Sequence, residues 1–118
     1  MHIDKDLVAA SATPLVLGIL EEGDSYGYAI LKRVKQLSSG QMVWTDGMLY
    51  PLLHRLERLG FVRARWDVAD NGRRRKHYSI TSLGRDALTE RRKQWDVVSE
   101  AMRRLQFDAI AVLRLGVA

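Results

Sequence analysis

The apolar residues between Thr45 and Thr81 change their spacing halfway along, and this change constrains the fold more than any other feature. Before Gly60, leucines recur every three or four residues, which is the spacing of one face of an α-helix. After Gly60, apolar and polar residues alternate as they do in a β-strand, and the alternation resumes beyond residues 70–72. Asn-Gly between alternating segments indicates a β-hairpin. The sequence therefore predicts a helix that leads into a hairpin whose loop is longer than two residues.

Positive charge is concentrated in the same part of the chain. Residues 1–40 hold four Lys/Arg and five Asp/Glu, residues 41–93 hold twelve and six, and residues 94–118 hold three and three. The formal net charge of +5 therefore arises almost entirely from the middle segment. A helix and a hairpin that share a local basic excess are typical of a winged-helix DNA-binding protein.

Length and composition exclude several other classes of protein. A chain of 118 residues predicts a single fold with a modest core. It contains no apolar run of about 18 residues, as a membrane span requires, and no signal-peptide pattern. It also has no cysteine, which excludes disulfides and cysteine-bound zinc. We expect a cytoplasmic protein with a polyanionic partner and no membrane partner.

Two helices are predicted before the leucine stripe. The first covers residues 5–22, and Pro14 allows two interpretations: Thr13 caps a helix that begins at Pro14, or a longer helix is kinked there. The second begins after a cap at Asp24 or Ser25. Its predicted buried face consists of Tyr26, Ile30, Val34 and Leu37. Gly27 near its start suggests a close approach of the backbone to another helix or to a phosphate.

The third helix is predicted to begin at an N-cap formed by Thr45 and to end at Gly60, with Pro51 kinking or loosening it. Its core-facing leucines are Leu49, Leu52, Leu53, Leu56 and Leu59. The opposite face then carries Gly47, Tyr50, Pro51, His54 and Arg58.

We expect the third helix to enter the major groove of DNA, the only groove wide enough for a helix. Tyr50 would then donate to a phosphate and His54 would contact a base edge, while Gly47 would let the helix N-terminus approach a phosphate. The basic run of the hairpin would lie over the backbone or the minor groove. The predicted DNA-binding residues are Tyr26, Thr45, Gly47, Tyr50, Pro51, His54, Arg58, Arg73, Arg74, Arg75 and Lys76.

Other polar and aromatic residues receive structural interpretations. We expect Glu57 to pair with an arginine of the hairpin rather than to act as a catalytic acid. Trp66 is interpreted as hairpin core rather than as a platform for base stacking. The histidines lack metal-ligand spacing, and there is no phosphate loop or nucleophile motif. No metal, cofactor or catalytic residue is predicted, and the protein is not expected to be an enzyme.

A long last helix is predicted to follow a cap at Thr81. One helix from residue 82 to residue 115 would be about 51 Å long, more than so small a protein covers alone. Its seven-residue spacing predicts a homodimer seam. The predicted dimer contacts are Leu7 on the first helix, Leu88, Trp95, Val98, Met102 and Leu105. Trp95 has two interpretations: dimer packing, or a stacking wall for an aromatic ligand together with Val98 and Met102.

Three segments give the chain a resemblance to the PadR family of bacterial transcriptional regulators. They are LVLGILEEGDSYGYAILKRV, TDGMLYPLLHRLERLGFV and GRRRKHYSITSLGRDAL, and the resemblance covers residues 13–90. It implies a mainly α fold with a two-stranded β wing. Residues 1–81 would form a winged helix-turn-helix DNA-binding domain, and residues 82–118 would form a C-terminal dimerisation helix. The first helix would also join the dimer interface. The apolar tail 107–118 leaves open whether the C-terminal helix is straight, broken or followed by another.

The resemblance also implies function. Such proteins are homodimeric repressors that bind double-stranded DNA and are relieved by small aromatic or amphipathic compounds. We therefore expect sequence-specific regulation of transcription at a pseudo-palindromic operator, with a possible small aromatic effector. Two alternatives remain: a winged helix that binds other proteins, and an architectural module that binds DNA without sequence preference.

Overall fold

The computed structural model describes the backbone of residues 1–115 and the side chains of residues 1–106. The elements are α1 (Lys5–Glu22), β1 (Ser25–Tyr26), α2 (Gly27–Leu37), α3 (Asp46–Arg58), β2 (Val62–Val68), β3 (Arg74–Ile80) and α4 (Ser82–Leu115). They fall into two compact units, Met1–Leu88 and Thr89–Ala118. The mainly helical fold with a β wing is confirmed, although its sheet has three strands rather than two.

The first helix runs without interruption through Pro14. Because α1 begins at Lys5, the interpretation that Thr13 caps a helix starting at Pro14 is wrong. Thr13 is instead buried, and its hydroxyl accepts a hydrogen bond of 3.3 Å from Arg55 Nη2 on α3. The N–H of Gly23 donates to the carbonyl of Leu20, so the helix ends at the predicted glycine.

The predicted cap of the second helix is wrong, because Ser25 belongs to the sheet and Asp24 lies in the turn before it. Ser25 and Tyr26 form β1, which pairs antiparallel with β3, and Tyr26 occupies the N-cap position of α2. Asp24 hydrogen-bonds Ser79 and Arg65, and both bonds lower the pKa of its carboxyl group. Asp24 therefore connects the turn before β1 to the other two strands rather than capping α2.

Both predicted ends of α3 are confirmed. Thr45 is the N-cap, and its hydroxyl oxygen accepts a hydrogen bond of 3.3 Å from the N–H of Met48. At the other end, Gly60 has a φ of 79°, and the N–H of Phe61 donates to the carbonyl of Leu56 at 2.9 Å. This left-handed glycine and its following bond form a Schellman motif, which satisfies the last carbonyls of the helix and turns the chain into β2.

The core of the first unit consists of the inner faces of its helices and the base of the hairpin. Two leucines predicted to be buried, Leu37 and Leu59, are instead 50% and 51% exposed. Leu37 is the last residue of α2 and Leu59 is the C-cap of α3, so each lies beyond the covered part of its stripe. The buried apolar residues are Ala12, Val16, Leu17, Ile19, Leu20, Ile30, Val34, Trp44, Leu49, Leu52, Leu53, Leu56, Val62, Tyr78, Ile80 and Leu88.

The wing consists of β2, β3 and the loop between them. The strands pair from Val62 with Ile80 to Val68 with Arg74, so residues 69–73 form the loop. The N–H of Ala69 donates to the carbonyl of Arg73 at 2.8 Å, and Gly72 adopts a φ of 81°. The prediction of a loop longer than two residues is confirmed.

The last helix begins as predicted and continues to Leu115. The Thr81 hydroxyl accepts a hydrogen bond from the N–H of Gly84 at 3.0 Å and donates to the carbonyl of Gly60 at 2.6 Å.

The boundary between the two compact units lies within the last helix. Residues 82–88 belong to the first unit, so the boundary follows Leu88, whereas the sequence predicted a domain boundary after Thr81. Residues 116–118, and the side chains of the apolar tail from residue 107, lie outside the described residues. No helix in the described part of the chain is both long and apolar enough to cross a membrane.

Candidate nucleic-acid interface

The outward face of α3 is exposed along its whole length. The leucines of the stripe turn inward, and every residue predicted for the opposite face is solvent-accessible. Those residues are Gly47, Tyr50, Pro51, His54 and Arg58. Because the cap at Thr45 leaves the first N–H groups of α3 at one end of this face, the surface combines side-chain donors with a helix N-terminus.

The start of α2, the outward face of α3 and the wing meet around one cavity of about 560 Å³, here called the helix–wing cleft. The cleft brings together several predicted DNA-binding residues that are far apart in the sequence. It is lined by Tyr26, Gly27, Tyr28, Tyr50, His54, Trp66, Arg74, Arg75, Lys76 and Tyr78. Pro51 and Arg58 instead line a separate groove with α1. Thr45, Gly47 and Arg73 line neither.

Trp66 lies on the surface of the wing, so the prediction that it forms hairpin core is wrong. The indole is 59% exposed, whereas Val62 on the same face of β2 is 3% exposed. The Arg74 guanidinium lies 5.0 Å from the ring centroid and the Lys76 ammonium 6.0 Å from it. The strand extends past the helical core at this point, and two cations cover the ring by cation–π contacts instead.

A second stack forms on the other face of β3. The Arg75 guanidinium lies 4.3 Å from the centroid of the Tyr26 ring, and Tyr26 is 5.6 Å from the ring of His77. Successive residues of a strand point to opposite faces, so Arg75 separates from Arg74 and Lys76. Arg74 and Lys76 therefore reach the helix–wing cleft from one face of β3, and Arg75 reaches it from the other face, beside Tyr26.

Glu57 pairs with a cation of the wing, but that cation is Lys76 rather than an arginine. Lys76 Nζ lies 3.7 Å from Glu57 Oε1, and the two side chains are 28% and 39% exposed. The register of the hairpin turns Lys76 to the face shared with the buried Tyr78, whereas Arg75 points the other way. A partly exposed pair of this kind adds little stability, but it connects α3 to the wing.

Comparison with known proteins identifies the family. Residues 16–90 match the transcriptional regulator PadR-like family. The chain belongs to the PadR family. Regulators of this family bind DNA and are not enzymes.

Individual relatives agree with this identification. The chain is 28% identical over 89 residues to the transcriptional regulator YqjI of Escherichia coli, and it spans 41% of that protein. A transcriptional regulator from Clostridium thermocellum has a similar fold, with 26% identity and a TM-score of 0.77 over 85% of this chain and 97% of that one. A PadR family regulator from Eggerthella lenta gives 33% identity and a TM-score of 0.71 over 86% of both chains.

Sequence reasoning missed Tyr78, the most deeply buried aromatic residue among the side chains that the structure describes. It is fully buried, and its hydroxyl has no hydrogen-bond partner among the described residues. Burial raises the pKa of the Tyr78 hydroxyl, and the nearby Glu57 and Tyr50 raise it further. Its alternation with Lys76 and Ile80 on β3 was the signal that could have placed it on the inner face.

The predicted dimer and ligand residues of the PadR regulator differ in exposure. Leu88 is only 1% exposed within the core of the first unit, so its assignment to a free seam is wrong. In the second unit, Trp95 is half-buried, while Val98, Met102 and Leu105 are 51%, 65% and 72% exposed. Leu7 on α1 is 49% exposed.

Metal chemistry receives no support from the side chains described. Among them, no three His, Cys, Asp or Glu residues lie close enough together to hold a metal ion.

Proposed function

We propose that this PadR-family regulator binds a pseudo-palindromic operator in double-stranded DNA as a homodimer and represses transcription. The observation that carries the proposal is the helix–wing cleft, where the exposed face of α3 meets the cations of β3. A neutral protein-binding surface has no need for such a concentration of cations. A DNA backbone does, because its phosphates must be neutralised on binding.

The two parts of the cleft have different roles in this proposal. The exposed face of α3 enters the major groove, where His54 contacts a base edge and Tyr50 donates to a phosphate. The wing lies along the adjacent backbone, with Arg74 over Trp66 and Arg75 over Tyr26. Each stack restricts a long side chain before binding, so less conformational entropy is lost when its guanidinium meets a phosphate.

A homodimer would place two recognition helices on successive major-groove faces, about 34 Å apart. The support for dimerisation is the exposed apolar stripe of the second unit. Val98, Met102 and Leu105 are each at least half exposed in a single chain. A second copy would cover them, as an exposed apolar stripe requires.

We further propose that a small, flat aromatic effector binds beside Trp95, with Val98 and Met102, in the dimer. A half-buried indole next to exposed apolar side chains offers a face for stacking. Such an effector relieves repression only if it binds one dimer geometry better than another. The expected coupling free energy between effector binding and DNA binding is about 1–3 kcal/mol.

The effector site is tested with a variant of Trp95. Trp95→Ala should abolish quenching of intrinsic fluorescence by flat aromatic compounds while the dimer persists. Dissociation of that variant would instead assign Trp95 to dimer packing.

The test of DNA recognition is a titration of a labelled duplex from the region upstream of the gene, followed by fluorescence anisotropy. An unrelated duplex is titrated in parallel, and both are measured at two salt concentrations. We expect tighter binding to the upstream duplex and a strong salt dependence on both. Equal affinity for both would indicate an architectural protein, and no binding to either would indicate a protein-interaction module.

A variant of α3 refines this test. His54→Ala should change the preference among operator sequences by about 1–3 kcal/mol at one position, because a base contact is lost. Lys35→Ala is a suitable control, since Lys35 is an exposed cation of α2 outside the cleft. An equal loss on operator and unrelated DNA would remove His54 from the set of base-reading residues. Repression itself is tested by transcription in vitro from the upstream promoter.

A further inference from the structure

Gly27, the first residue of α2, is buried against the side chain of Tyr50 on α3. A β carbon at position 27 would overlap the Tyr50 hydroxyl oxygen and would lie 2.8 Å from Cζ and 3.2 Å from Cε1 of the same ring. Carbon atoms that are not bonded pack at about 3.5–4.0 Å. A side chain at position 27 and the present position of the Tyr50 ring therefore exclude each other.

If the two residues conflict, the tyrosine will yield and the helix will not. The backbone of Gly27 does not have the positive φ that only glycine accepts readily, and alanine is the better helix former. The atoms in conflict belong to the far end of a rotatable side chain, and Tyr50 is already 38% exposed. Gly27→Ala should consequently leave α2 intact and turn the Tyr50 ring towards solvent.

We propose that Gly27 is a positioning residue for DNA recognition. It acts by leaving space for the Tyr50 hydroxyl against the first turn of α2, where a larger residue would displace it. The inference rests on the proposed function, in which Tyr50 donates to a DNA phosphate. A hydroxyl fixed in one orientation before binding loses less conformational freedom on the DNA than a freely rotating one. The absence of a side chain on α2 thus determines the geometry of a DNA contact made from α3.

Two other glycines show why this arrangement is particular to Gly27. A β carbon at Gly47 would meet the Thr45 hydroxyl oxygen at 3.9 Å, which is an ordinary contact. One at Gly84 would overlap the backbone carbonyl of Phe61, which cannot rotate aside, so alanine there should damage the fold itself. At Gly27 the neighbour is a movable side chain on the proposed DNA-binding face.

The experiment is a double-mutant cycle on DNA affinity, with Gly27→Ala, Tyr50→Ala and the double variant. We expect Gly27→Ala to weaken binding to the upstream duplex about tenfold, which corresponds to a lost hydrogen bond to a charged group. Its melting temperature should stay the same or rise. In the Tyr50→Ala background, Gly27→Ala should have no further effect. Ile30→Val is the stability control, because it removes a core methyl group from the same helix and should lower the melting temperature without changing DNA affinity.

A second measurement does not depend on DNA. The chain has four tyrosines, so carbon-13-labelled tyrosine gives few NMR signals, which Tyr→Phe variants assign. We expect the Tyr50 signals of Gly27→Ala to move to the values of a solvent-exposed ring. Unchanged Tyr50 signals, or a Gly27→Ala effect that persists without Tyr50, would overturn the inference. If the wild-type protein does not bind duplex DNA, the proposed function fails, while the NMR signals still decide whether Gly27 positions Tyr50.

Discussion

The leucine stripe of α3 and the apolar stripe of α4 in the second unit follow similar helical spacings but differ in what covers them. Leu53 and Leu56 are fully buried within a single chain, whereas Met102 and Leu105 are 65% and 72% exposed. The spacing predicts a helix in both cases. It does not reveal whether the stripe is covered by the same chain or requires another surface.

The difference separates two kinds of stability. The fold of the first unit depends on contacts within one chain, so damage to α3 should unfold it at any protein concentration. The stripe of the second unit is proposed to be covered by a partner, so damage there should depend on protein concentration through association. Variants of the two stripes, of the wing and of the core test this division.

The double variant Val98→Glu/Met102→Glu should abolish the proposed dimer, because it places charges on a surface that must lose water. Light scattering at micromolar concentration should give a mass near 13.5 kDa, the mass of one chain, where the wild type gives twice that value. Lys93→Glu is the control, since Lys93 is exposed and lies outside the stripe. A monomeric wild type would contradict the proposal directly.

Leu53→Ala should destabilise the protein by about 2–5 kcal/mol, since it leaves a cavity in a fully packed core. Leu105→Ala removes the same atoms from an exposed position, so its effect should be smaller and should vanish as the protein is diluted. Urea unfolding at two protein concentrations measures both. Equal losses in the two variants would mean that the stripes are not covered differently.

Removal of a wing cation should affect DNA binding while leaving the dimer intact. Arg74→Ala and Lys76→Ala should weaken binding several-fold on all sequences and reduce the salt slope by about one, because a phosphate contact is lost. Lys76→Ala should have the larger effect, since it also leaves Glu57 without its partner on the wing. Anisotropy titrations at a series of salt concentrations check this. An unchanged salt slope would exclude both side chains from contact with the phosphates.

Tyr78→Phe should change stability by no more than about 1 kcal/mol at neutral pH, because the buried hydroxyl lacks a partner among the described residues. Because the pKa of Tyr78 is raised in the folded state, its effect on the free energy of unfolding depends on pH. Its stabilising contribution is fully present below the ordinary pKa of 10.0 and is lost as the pH rises through the higher pKa of the folded state. Urea midpoints at neutral and alkaline pH should therefore show a weaker alkaline decline in Tyr78→Phe. An identical decline in the two proteins would contradict the assignment.

The helices, the hairpin and the location of the basic surface could all be predicted from the sequence. Thr45 and Gly60 mark the two ends of α3 because caps and left-handed turns depend on residues within one or two turns of the chain. The exposed face of α3 followed from the positions of its leucines alone. All of these signals act between residues that are close in the sequence.

Which distant residues meet could not be predicted, because it depends on how the elements pack in three dimensions. The tertiary structure placed Ser25 and Tyr26 in a third strand, Lys76 rather than an arginine beside Glu57, and the indole of Trp66 on the surface. The alternation of side chains along a strand indicates which residues share a face. How much of that face is buried depends on how far the strand extends past the helices. The contact of Gly27 with Tyr50 has the same origin, because it is set by the packing of α2 against α3 and by no pattern within either helix.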